Sequence, residues 1–470
     1  MLSAVTEHER FDLVVIGAGP AGEKAAAQAA YFKKRVAIIE RESEPGGAAV
    51  HTGTLPSKTL RETALYLSGY HARELYGVAL ELDRTATLPR LMSRKNAIAA
   101  AESRAFRHNL ERHGVRYFQG HGRLLDAHTV TISGAAFEQR IGADFVLIST
   151  GSIPHRPAEI DFNDDWIHDS DEILTIHDLP SSLTILGGGV IGCEYACMFA
   201  ALGVSVTLVD ARSEILPFWD AEIVARLKAA MVKLGIRMVQ GQRWTTVLRS
   251  ANGVTTTLAD GSTIENQQLL FAAGRTGCSS DLGLANVGLA ADSRGYISVD
   301  AEYRTPVPNI FAAGDVIGFP ALASVSMEQG RVAMCHAFGF GYKKAVAAEM
   351  PYGIYTIPEV SSFGATEETC KQKNIPYVVG RALYENNARG KIQGDLEGIT
   401  KIVVDASTRK IIGVHVIGER ATELVHIGQT AIHLGGTVDL FIDMVFNYPT
   451  LADSYKYAAY DCLAALAART

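Results

Sequence analysis

Residues 11–22 read FDLVVIGAGPAG, and this stretch decides the fold. A short apolar run ends at Gly17, and Gly19 and Gly22 complete the spacing G-x-G-x-x-G before an alanine-rich segment. In a strand–turn–helix unit the first glycine permits the tight turn, the second lets the backbone approach a pyrophosphate, and the third lets the helix pack on the strand. The stretch therefore predicts a dinucleotide-binding βαβ unit whose second strand ends at Glu40, an acid placed to bind a ribose diol.

The same motif occurs a second time. Residues 183–192 read LTILGGGVIG, in which Gly187, Gly189 and Gly192 repeat the spacing, and Asp210 ends the following apolar run. The helix N-terminus after each turn supplies free N–H groups and a positive dipole for phosphates. Two units with the same internal spacing predict an α/β fold with two Rossmann-like dinucleotide-binding domains.

The last quarter of the chain has a different character. Short β-branched runs at residues 401–404 and 411–417 are followed by a helical pattern over residues 421–434. This pattern predicts an α+β domain with an antiparallel sheet. The charged and polar residues 382–398 are expected to form loop and sheet edge.

Composition limits the classes of function. A chain of 470 residues is long enough for about three domains, and its net charge of −7 leaves no basic surface for nucleic acid. The six cysteines have no metal-ligand spacing, so no metal site is expected. The polar N-terminus lacks the plan of a signal peptide, and no uninterrupted apolar run reaches about 18 residues, so we expect a cytoplasmic protein without a membrane span.

A third segment, residues 46–58, reads GGAAVHTGTLPSK. With the two glycine motifs, the later strand endings STG, AGR and AAGD, and the C-terminal domain, it resembles the FAD flavoproteins with two dinucleotide sites, the family of lipoamide dehydrogenase and glutathione reductase. That family usually carries a redox disulfide here, as G-G-x-C-x4-C-x-P-S-K. Ala49 and Thr54 stand at the two cysteine positions. The resemblance thus implies a flavin disulfide reductase scaffold from which electrons leave the flavin directly.

The resemblance assigns the cofactors residue by residue. It implies that FAD is held by Gly17, Gly19, Gly22, Glu40, Gly122, Thr150, Gly151, Gly314, Asp315, Leu322 and Ala323. It implies that the nicotinamide nucleotide is held by Gly187, Gly189, Gly192, Asp210 and Arg212. Further cofactor-binding residues by the same resemblance are Pro20, Ala21, Arg41, Gly46, Gly47, Thr54, Lys58, Ile191, Glu194, Gly274 and Arg275.

Lys58 and Glu194 are expected to take part in the chemistry, and Asp210 and Arg212 are expected to set nucleotide specificity. Lys58 is expected near flavin N5 and paired with Glu194, where a fixed cation favours hydride arrival. Asp210 favours NAD(H) because an acid repels a 2′-phosphate, whereas Arg212 offers a partner for that phosphate and so admits NADP(H).

The base of the disulfide reductases is also replaced. By resemblance, Tyr448 and Asp453 occupy the places of a histidine that reaches across the dimer and of the acid that orients it. Tyrosine has an ordinary pKa of about 10, so it is a poor base at neutral pH. The thiols and the base are therefore missing together, which indicates a different reaction.

Three stretches resemble the transhydrogenase branch of the family: HTGT at residues 51–54, YGIYTIPE at 352–359 and FNYPT at 446–450. The implied function is an FAD-dependent NAD(P) transhydrogenase, in which NADPH gives a hydride to flavin N5 and NAD then takes it. An NAD(P)H:quinone or dye reductase (a diaphorase) is an alternative. A redox-controlled interaction protein that binds FAD and NADH is another.

The resemblance also sets the domain plan. The FAD-binding domain is expected at residues 1–156 and 281–349, and the NAD(P)-binding domain at residues 157–280. Residues 350–470 are expected to form a C-terminal interface domain. Nicotinamide nucleotides would be the substrates, and the protein would be a homodimer, with a larger homo-oligomer also open.

Overall fold

A computed structural model describes residues 9–69, 75–77, 84–134 and 137–469. The N-terminal residues 1–8, on which part of the localisation prediction rests, lie outside the described residues. The chain divides into two compact units. The first comprises Met1–Thr59, Met92–His155 and Gly274–Ala347, and the second comprises Leu60–Leu91, Arg156–Ala273 and Ala348–Thr470.

The elements follow one another in this order. The strands are β1 (Arg10–Ile16), β2 (Val36–Glu40), β3 (Arg116–Gln119), β4 (His121–Asp126), β5 (Thr129–Gly134), β6 (Phe137–Ile148), β7 (Ser152–Pro154), β8 (Ile167–Asp169), β9 (Ser182–Leu186), β10 (Ser205–Asp210), β11 (Arg237–Gln240), β12 (Trp244–Arg249), β13 (Val254–Leu258), β14 (Thr263–Asn266), β15 (Gln268–Phe271), β16 (Arg275–Gly277), β17 (Ile310–Ala312), β18 (Tyr352–Ile354), β19 (Val360–Gly364), β20 (Tyr377–Leu383), β21 (Ile399–Asp405) and β22 (Ile411–Ile417). The helices are α1 (Pro20–Tyr31), α2 (Gly47–His51), α3 (Thr54–Ser68), α4 (Arg84–Arg112), α5 (Val190–Ala201), α6 (Ala221–Lys233), α7 (Ala323–Phe338), α8 (Glu367–Gln372), α9 (Ala388–Gln393), α10 (Ala421–His433), α11 (Asp439–Asp443) and α12 (Ser454–Ala467).

The first unit is built on a sheet with strand order β3-β2-β1-β6-β5-β4, and β17 also pairs with β6. The strands β1, β2, β3 and β17 are parallel to their neighbours, and β4–β6 form an antiparallel meander. Leu13, Val14 and Val15 of β1 are fully buried, as is usual for a parallel strand covered on both faces. This sheet carries the first glycine turn at the end of β1.

The second unit contains two larger sheets. The parallel sheet, in the order β11-β10-β9-β15-β8, carries the second glycine turn at the end of β9. A fully antiparallel sheet in the order β18-β19-β22-β21-β20 forms the C-terminal part, where α10 packs on β22 and α12 on β20. The predicted α/β fold and the predicted antiparallel C-terminal sheet are confirmed.

One prediction about the C-terminal part is wrong. Residues 382–398 are not simply loop and edge, because they contain a 3₁₀ turn and helix α9. Asn387 caps this helix by accepting hydrogen bonds from the backbone N–H groups of Arg389 and Gly390. Tyr384, fully buried, anchors the segment. The segment is polar in sequence, but burial of the Tyr384 ring in the folded domain orders it.

None of the helices in the described ranges is long and apolar enough to cross a membrane.

Candidate active site

The first glycine turn has one open position between two packed ones. Gly17 has φ +103°, and a Cβ there would lie 2.5 Å from the Ser149 carbonyl oxygen. A Cβ on Gly22 would lie 2.0 Å from the Gly17 oxygen, so both positions require glycine for packing. At Gly19, by contrast, the nearest atom to an added Cβ is the Gly47 Cα at 3.8 Å. The turn therefore offers bare backbone at its second glycine, where a pyrophosphate would approach.

Helix α1 begins directly behind this open position. Pro20 and Ala21 form its first residues, and Gly19 is its N-cap without a side-chain cap. Pro20 has no N–H, so the N–H groups of the first turn that lack an intrahelical partner belong to Ala21 and Gly22, beside a bare glycine. Helix N-termini of this kind bind anions. These residues fit the pyrophosphate of FAD.

Glu40 fixes the loop that surrounds the turn. Its carboxylate accepts hydrogen bonds from the Ala18 backbone N–H (2.8 Å) and from the Glu42 backbone N–H (3.0 Å), and the residue is buried. Arg41, the next residue, lies at the surface and contacts Glu42. Glu40, the acid expected to bind a ribose, thus also binds the backbone of the glycine turn. These hydrogen bonds fix the Glu40 carboxylate at the end of β2.

The segment with the replaced cysteines packs on the same turn. Gly46 donates its backbone N–H to the Ala18 carbonyl (2.9 Å), and a Cβ on Gly47 would lie 3.0 Å from the Gly19 Cα. Ala49 lies in helix α2, and Thr54 is the first residue of helix α3. The sequence motif and the first nucleotide turn are therefore brought together by backbone contacts that only glycines permit.

A polar chain joins Asp315 to Arg275 in the first unit. Ser152 donates from Oγ to Asp315 Oδ2 (3.0 Å), and Arg275 donates from Nε to Ser152 Oγ (2.7 Å) and from Nη2 to the Ser152 carbonyl (2.7 Å). Gly274 (φ +116°) precedes this arginine, and Gly314 (φ +81°) precedes the aspartate. Sequence reasoning missed Ser152, because nothing local marks a serine that links two distant motifs.

The remaining predicted FAD residues lie in the same unit. Thr150 donates from Oγ1 to the Cys278 carbonyl (2.6 Å), and Gly151 follows it with φ +71°. Gly122 is buried, and a Cβ added to it would lie 3.0 Å from Ile16 and 3.3 Å from Ile39. Leu322 is the N-cap of α7, and Ala323 is the first residue of that helix. Further along α7, Gln329 Oε1 accepts a hydrogen bond from the Gly314 N–H.

The second glycine turn repeats the first in detail. Gly187 has φ +115°, and a Cβ on Gly192 would lie 1.8 Å from the Gly187 oxygen. Around Gly189 no atom lies within 4 Å of an added Cβ, so this turn also has an open second position. Ile191 lies in the first turn of helix α5 behind it. The residues fit a second dinucleotide.

Asp210, at the end of β10, is engaged on both oxygens. It accepts hydrogen bonds from the Gly188 N–H (2.5 Å), the Arg212 N–H (2.8 Å), Arg212 Nε (2.9 Å) and Arg212 Nη2 (2.7 Å). Although burial favours the neutral acid, the hydrogen bonds from Arg212 and Gly188 lower the pKa of Asp210. The hydrogen bond to Asp210 raises the pKa of Arg212 in turn. The acid expected to favour NAD(H) and the arginine expected to admit NADP(H) are thus bound to each other.

Glu194 lies two residues after the last glycine of the second turn, and it is buried. Its Oε1 accepts a hydrogen bond from the backbone N–H of Tyr355 (2.9 Å). Lys58, whose Nζ donates to Ser57 Oγ (3.2 Å), belongs to the first unit, and Glu194 belongs to the second. Their pairing stays a prediction.

Tyr448 and Asp453 both lie in the second unit. Tyr448 is 75 % exposed, and Asp453 immediately precedes helix α12. Between them, Thr450 donates from Oγ1 to the Asn447 carbonyl (2.7 Å) and accepts at its own carbonyl from Asn387 (3.1 Å). No cluster of three or more histidine, cysteine or acidic residues suited to a metal occurs in the described part of the chain.

Two sheets, each with a glycine turn after a parallel strand, a second glycine left open and an acid at the end of the next strand, define an α/β oxidoreductase with two dinucleotide sites. Residues 11–330 match the family model of the pyridine nucleotide-disulphide oxidoreductases, and residues 350–459 match the dimerisation domain of that family. The chain therefore belongs to the pyridine nucleotide-disulphide oxidoreductase family, whose members bind FAD and NAD(P)H. The dimerisation domain supports the homodimer expected from the sequence.

Individual relatives match almost the whole chain. A soluble pyridine nucleotide transhydrogenase of Mycobacterium bovis (strain BCG / Pasteur 1173P2) is 45 % identical, over 96 % of this chain and 97 % of its own. One from Pseudomonas putida KT2440 is 39 % identical, over 96 % and 98 %. The crystal structure of LpdA from Mycobacterium tuberculosis superposes with a TM-score of 0.88 at 30 % identity, covering 96 % of this chain and 99 % of that one.

Proposed function

We propose that this chain is an FAD-dependent NAD(P) transhydrogenase that works without a redox-active disulfide. The observation that carries the proposal is the pair Ala49 and Thr54, which stand where the family's redox cysteines are expected, in the segment that packs on the first glycine turn. Neither side chain can accept electrons. The names of the relatives that match 96 % of the chain support the same reaction.

FAD, when bound, supplies a two-electron centre that accepts a hydride and gives it up again. The open backbone at Gly19 and the N-terminus of α1 would hold its pyrophosphate, and Glu40 and Asp315 would hold its sugar and ribityl hydroxyls. Lys58 would place a fixed positive charge beside the isoalloxazine ring and stabilise negative charge there without moving a proton.

The second module would serve both nicotinamide nucleotides in turn. Gly189 leaves bare backbone for the pyrophosphate of either one. With NAD(H), Asp210 would accept hydrogen bonds from the ribose diol while Arg212 keeps its hold on the carboxylate. With NADP(H), the half-exposed Arg212 would turn to the 2′-phosphate, because a guanidinium forms strong paired hydrogen bonds with phosphate oxygens. One site would therefore bind donor and acceptor alternately.

Hydride transfer in both directions needs no general acid or base, and the candidate residues agree with this. Tyr448 stands where the family's histidine base is expected. We further propose that the protein acts in the cytoplasm as a homodimer built through its C-terminal domain.

The test is steady-state turnover of purified, FAD-loaded protein with NADPH and competing acceptors. We expect NAD to be reduced at a rate that supports turnover, with ping-pong kinetics, and we expect lipoamide and oxidised glutathione to be inert. Rapid reduction of a quinone without reduction of NAD would replace the proposal by a diaphorase. Measurable reduction of lipoamide or oxidised glutathione would contradict it outright.

A further inference from the structure

Residues 355–359, YTIPE, receive contacts from side chains of two helices. The Tyr355 N–H donates to Glu194 of helix α5, and the Ile357 carbonyl lies 4.0 Å from Cys197 Sγ, one turn further along the same helix. From helix α3, Arg61 donates from Nε to the Thr356 carbonyl at 2.9 Å. Consecutive backbone groups of one buried segment thus bind side chains from α3 and α5.

Arg61 is the side chain that helix α3 contributes to these contacts. Its side chain is 6 % exposed, and besides Thr356 it contacts Glu359 Oε1 from Nη1 at 3.3 Å. Glu359 is itself anchored, because its Oε2 accepts a hydrogen bond from Thr422 Oγ1 (2.9 Å) in the first turn of α10. Nη1 also donates a hydrogen bond to Glu62 of α3 itself. A guanidinium is planar and donates in fixed directions, so the hydrogen bond to the Thr356 carbonyl and the ion pair with Glu359 attach α3 to residues 355–359 at two points.

Helix α3 is the helix on which Lys58 lies. Lys58 and Arg61 are three residues apart, which places them on neighbouring parts of one helical face about 4.5 Å apart along the axis. Helix α3 is continuous between the two residues, so a change in the contacts of Arg61 is transmitted along the helix to Lys58. An aliphatic side chain at position 61 would pack but would provide neither the hydrogen bond nor the ion pair.

We propose that Arg61 is a positioning residue, whose buried guanidinium fixes helix α3 on residues 355–359 and thereby sets the place of Lys58. The proposal rests on the proposed function only in the role of Lys58 beside the flavin. It adds a determinant outside the dinucleotide motifs, in the same segment that binds Glu194.

The test compares Arg61→Met with Lys401→Met in the FAD-loaded protein. Lys401 is a matched control, since it is a buried cation of the same unit, 1 % exposed, and bound to the carboxylates of Asp220 and Glu367 rather than to α3. Both changes leave buried acids without a cation and are expected to lower Tm. If either protein does not accumulate, Arg61→Lys and Arg381→Met take their places.

Three readouts separate positioning from mere stability. In Arg61→Met we expect faster hydrogen exchange of the backbone in residues 54–58 and a shift of the flavin absorbance maximum and reduction potential. We also expect flavin reduction by NADPH to be slower by about 10- to 100-fold, because small misplacements near a reacting centre have effects of this size. In Lys401→Met we expect all three to stay at wild-type values within about twofold. Equal effects in both variants, or wild-type exchange and flavin spectra in Arg61→Met, would overturn the proposal. Flavin reduction is measured without NAD, so a failure of transhydrogenation would not mask the result.

Discussion

Arg212 holds both carboxylate oxygens of Asp210, with Nε on Oδ1 at 2.9 Å and Nη2 on Oδ2 at 2.7 Å. A residue suited to a 2′-phosphate and a residue suited to a free ribose are thereby bound to each other at the end of one strand. We propose that the pair gives the second nucleotide turn a means to accept two cofactors that differ by one phosphate, since either partner can be used while the other stays in place.

Replacement of Arg212 tests this interpretation. In Arg212→Ala, kcat/KM for NADPH should fall by about 10- to 100-fold, because a lost hydrogen bond to a charged group is worth about 1.5–3 kcal/mol. For NADH the value should change by less than about threefold, since no phosphate contact is lost. Stopped-flow reduction of the flavin by each nucleotide measures both. Arg226→Ala, on helix α6 of the same module, is the control and should leave both values unchanged. Equal losses for NADPH and NADH would show that Arg212 does not read the phosphate.

The open and packed glycines of the second turn predict opposite phenotypes. Gly189→Ala should fold normally, because its backbone has ordinary φ and no atom lies within 4 Å of the new Cβ. It should nevertheless bind NADPH about tenfold more weakly or worse, since the methyl group occupies the approach of the phosphate. Gly192→Ala should lose about 1–3 kcal/mol of unfolding free energy, as overpacked cores do, because its Cβ would lie 1.8 Å from the Gly187 oxygen. Thermal unfolding and nucleotide titration of both variants measure the contrast, and two variants with the same phenotype would contradict it.

Acid sensitivity of the second unit should depend on His415. This histidine is fully buried, with Nδ1 on Ser362 Oγ (2.9 Å) and Nε2 on the Ala365 carbonyl (3.0 Å). Burial lowers its pKa from 6.5, with Lys401 acting in the same direction and Asp220 and Glu368 opposing. The unfolded chain therefore binds this proton first, and stability falls as the pH drops below about 6.5, by at most about 1.4 kcal/mol per pH unit.

The variant His415→Gln should show a shallower decline of Tm between pH 6.5 and 5 than the wild type. We assign the decline of Tm that remains in the variant to His168, because burial also lowers the pKa of this histidine. Burial raises the pKa values of Asp220 and Glu222, but the charge of His415 and the hydrogen bond from Lys401 lower the pKa of Asp220, and hydrogen bonds from Arg381 and Lys401 lower that of Glu222. Both proteins should therefore lose further stability at lower pH, as these carboxylates are protonated. Parallel profiles of wild type and variant from pH 6.5 to 5 would rule out the role of His415.

The sequence was sufficient to predict those parts of the site that steric rules dictate locally. Gly17 and Gly187 turn the chain where expected, and Glu40 and Asp210 end their strands where expected, because a strand–turn–helix unit leaves few choices at these positions. The same holds for the antiparallel C-terminal sheet, whose β-branched strands are separated by turn residues.

Contacts between distant segments could not be predicted in this way. Ser152 links Asp315 to Arg275, and Arg61 binds a carbonyl 295 residues away, yet neither has a local signal in periodicity or spacing. The buried cluster around Lys401 is also invisible in the sequence, where a lysine in a strand is normally read as exposed. Helix α9 was missed for a related reason, since the burial of Tyr384 depends on the rest of the C-terminal sheet.

The most direct test of the account is an anaerobic titration in two steps. NADPH is first added to the FAD-loaded protein until the flavin is fully reduced, and NAD is then added to the product. We expect one equivalent of NADPH per FAD to complete the reduction, because Ala49 and Thr54 provide no disulfide to take up a second pair of electrons. We then expect NAD to reoxidise the flavin with formation of NADH. Uptake of two equivalents, or a flavin that stays reduced in the presence of NAD, would contradict a direct transfer between nicotinamide nucleotides.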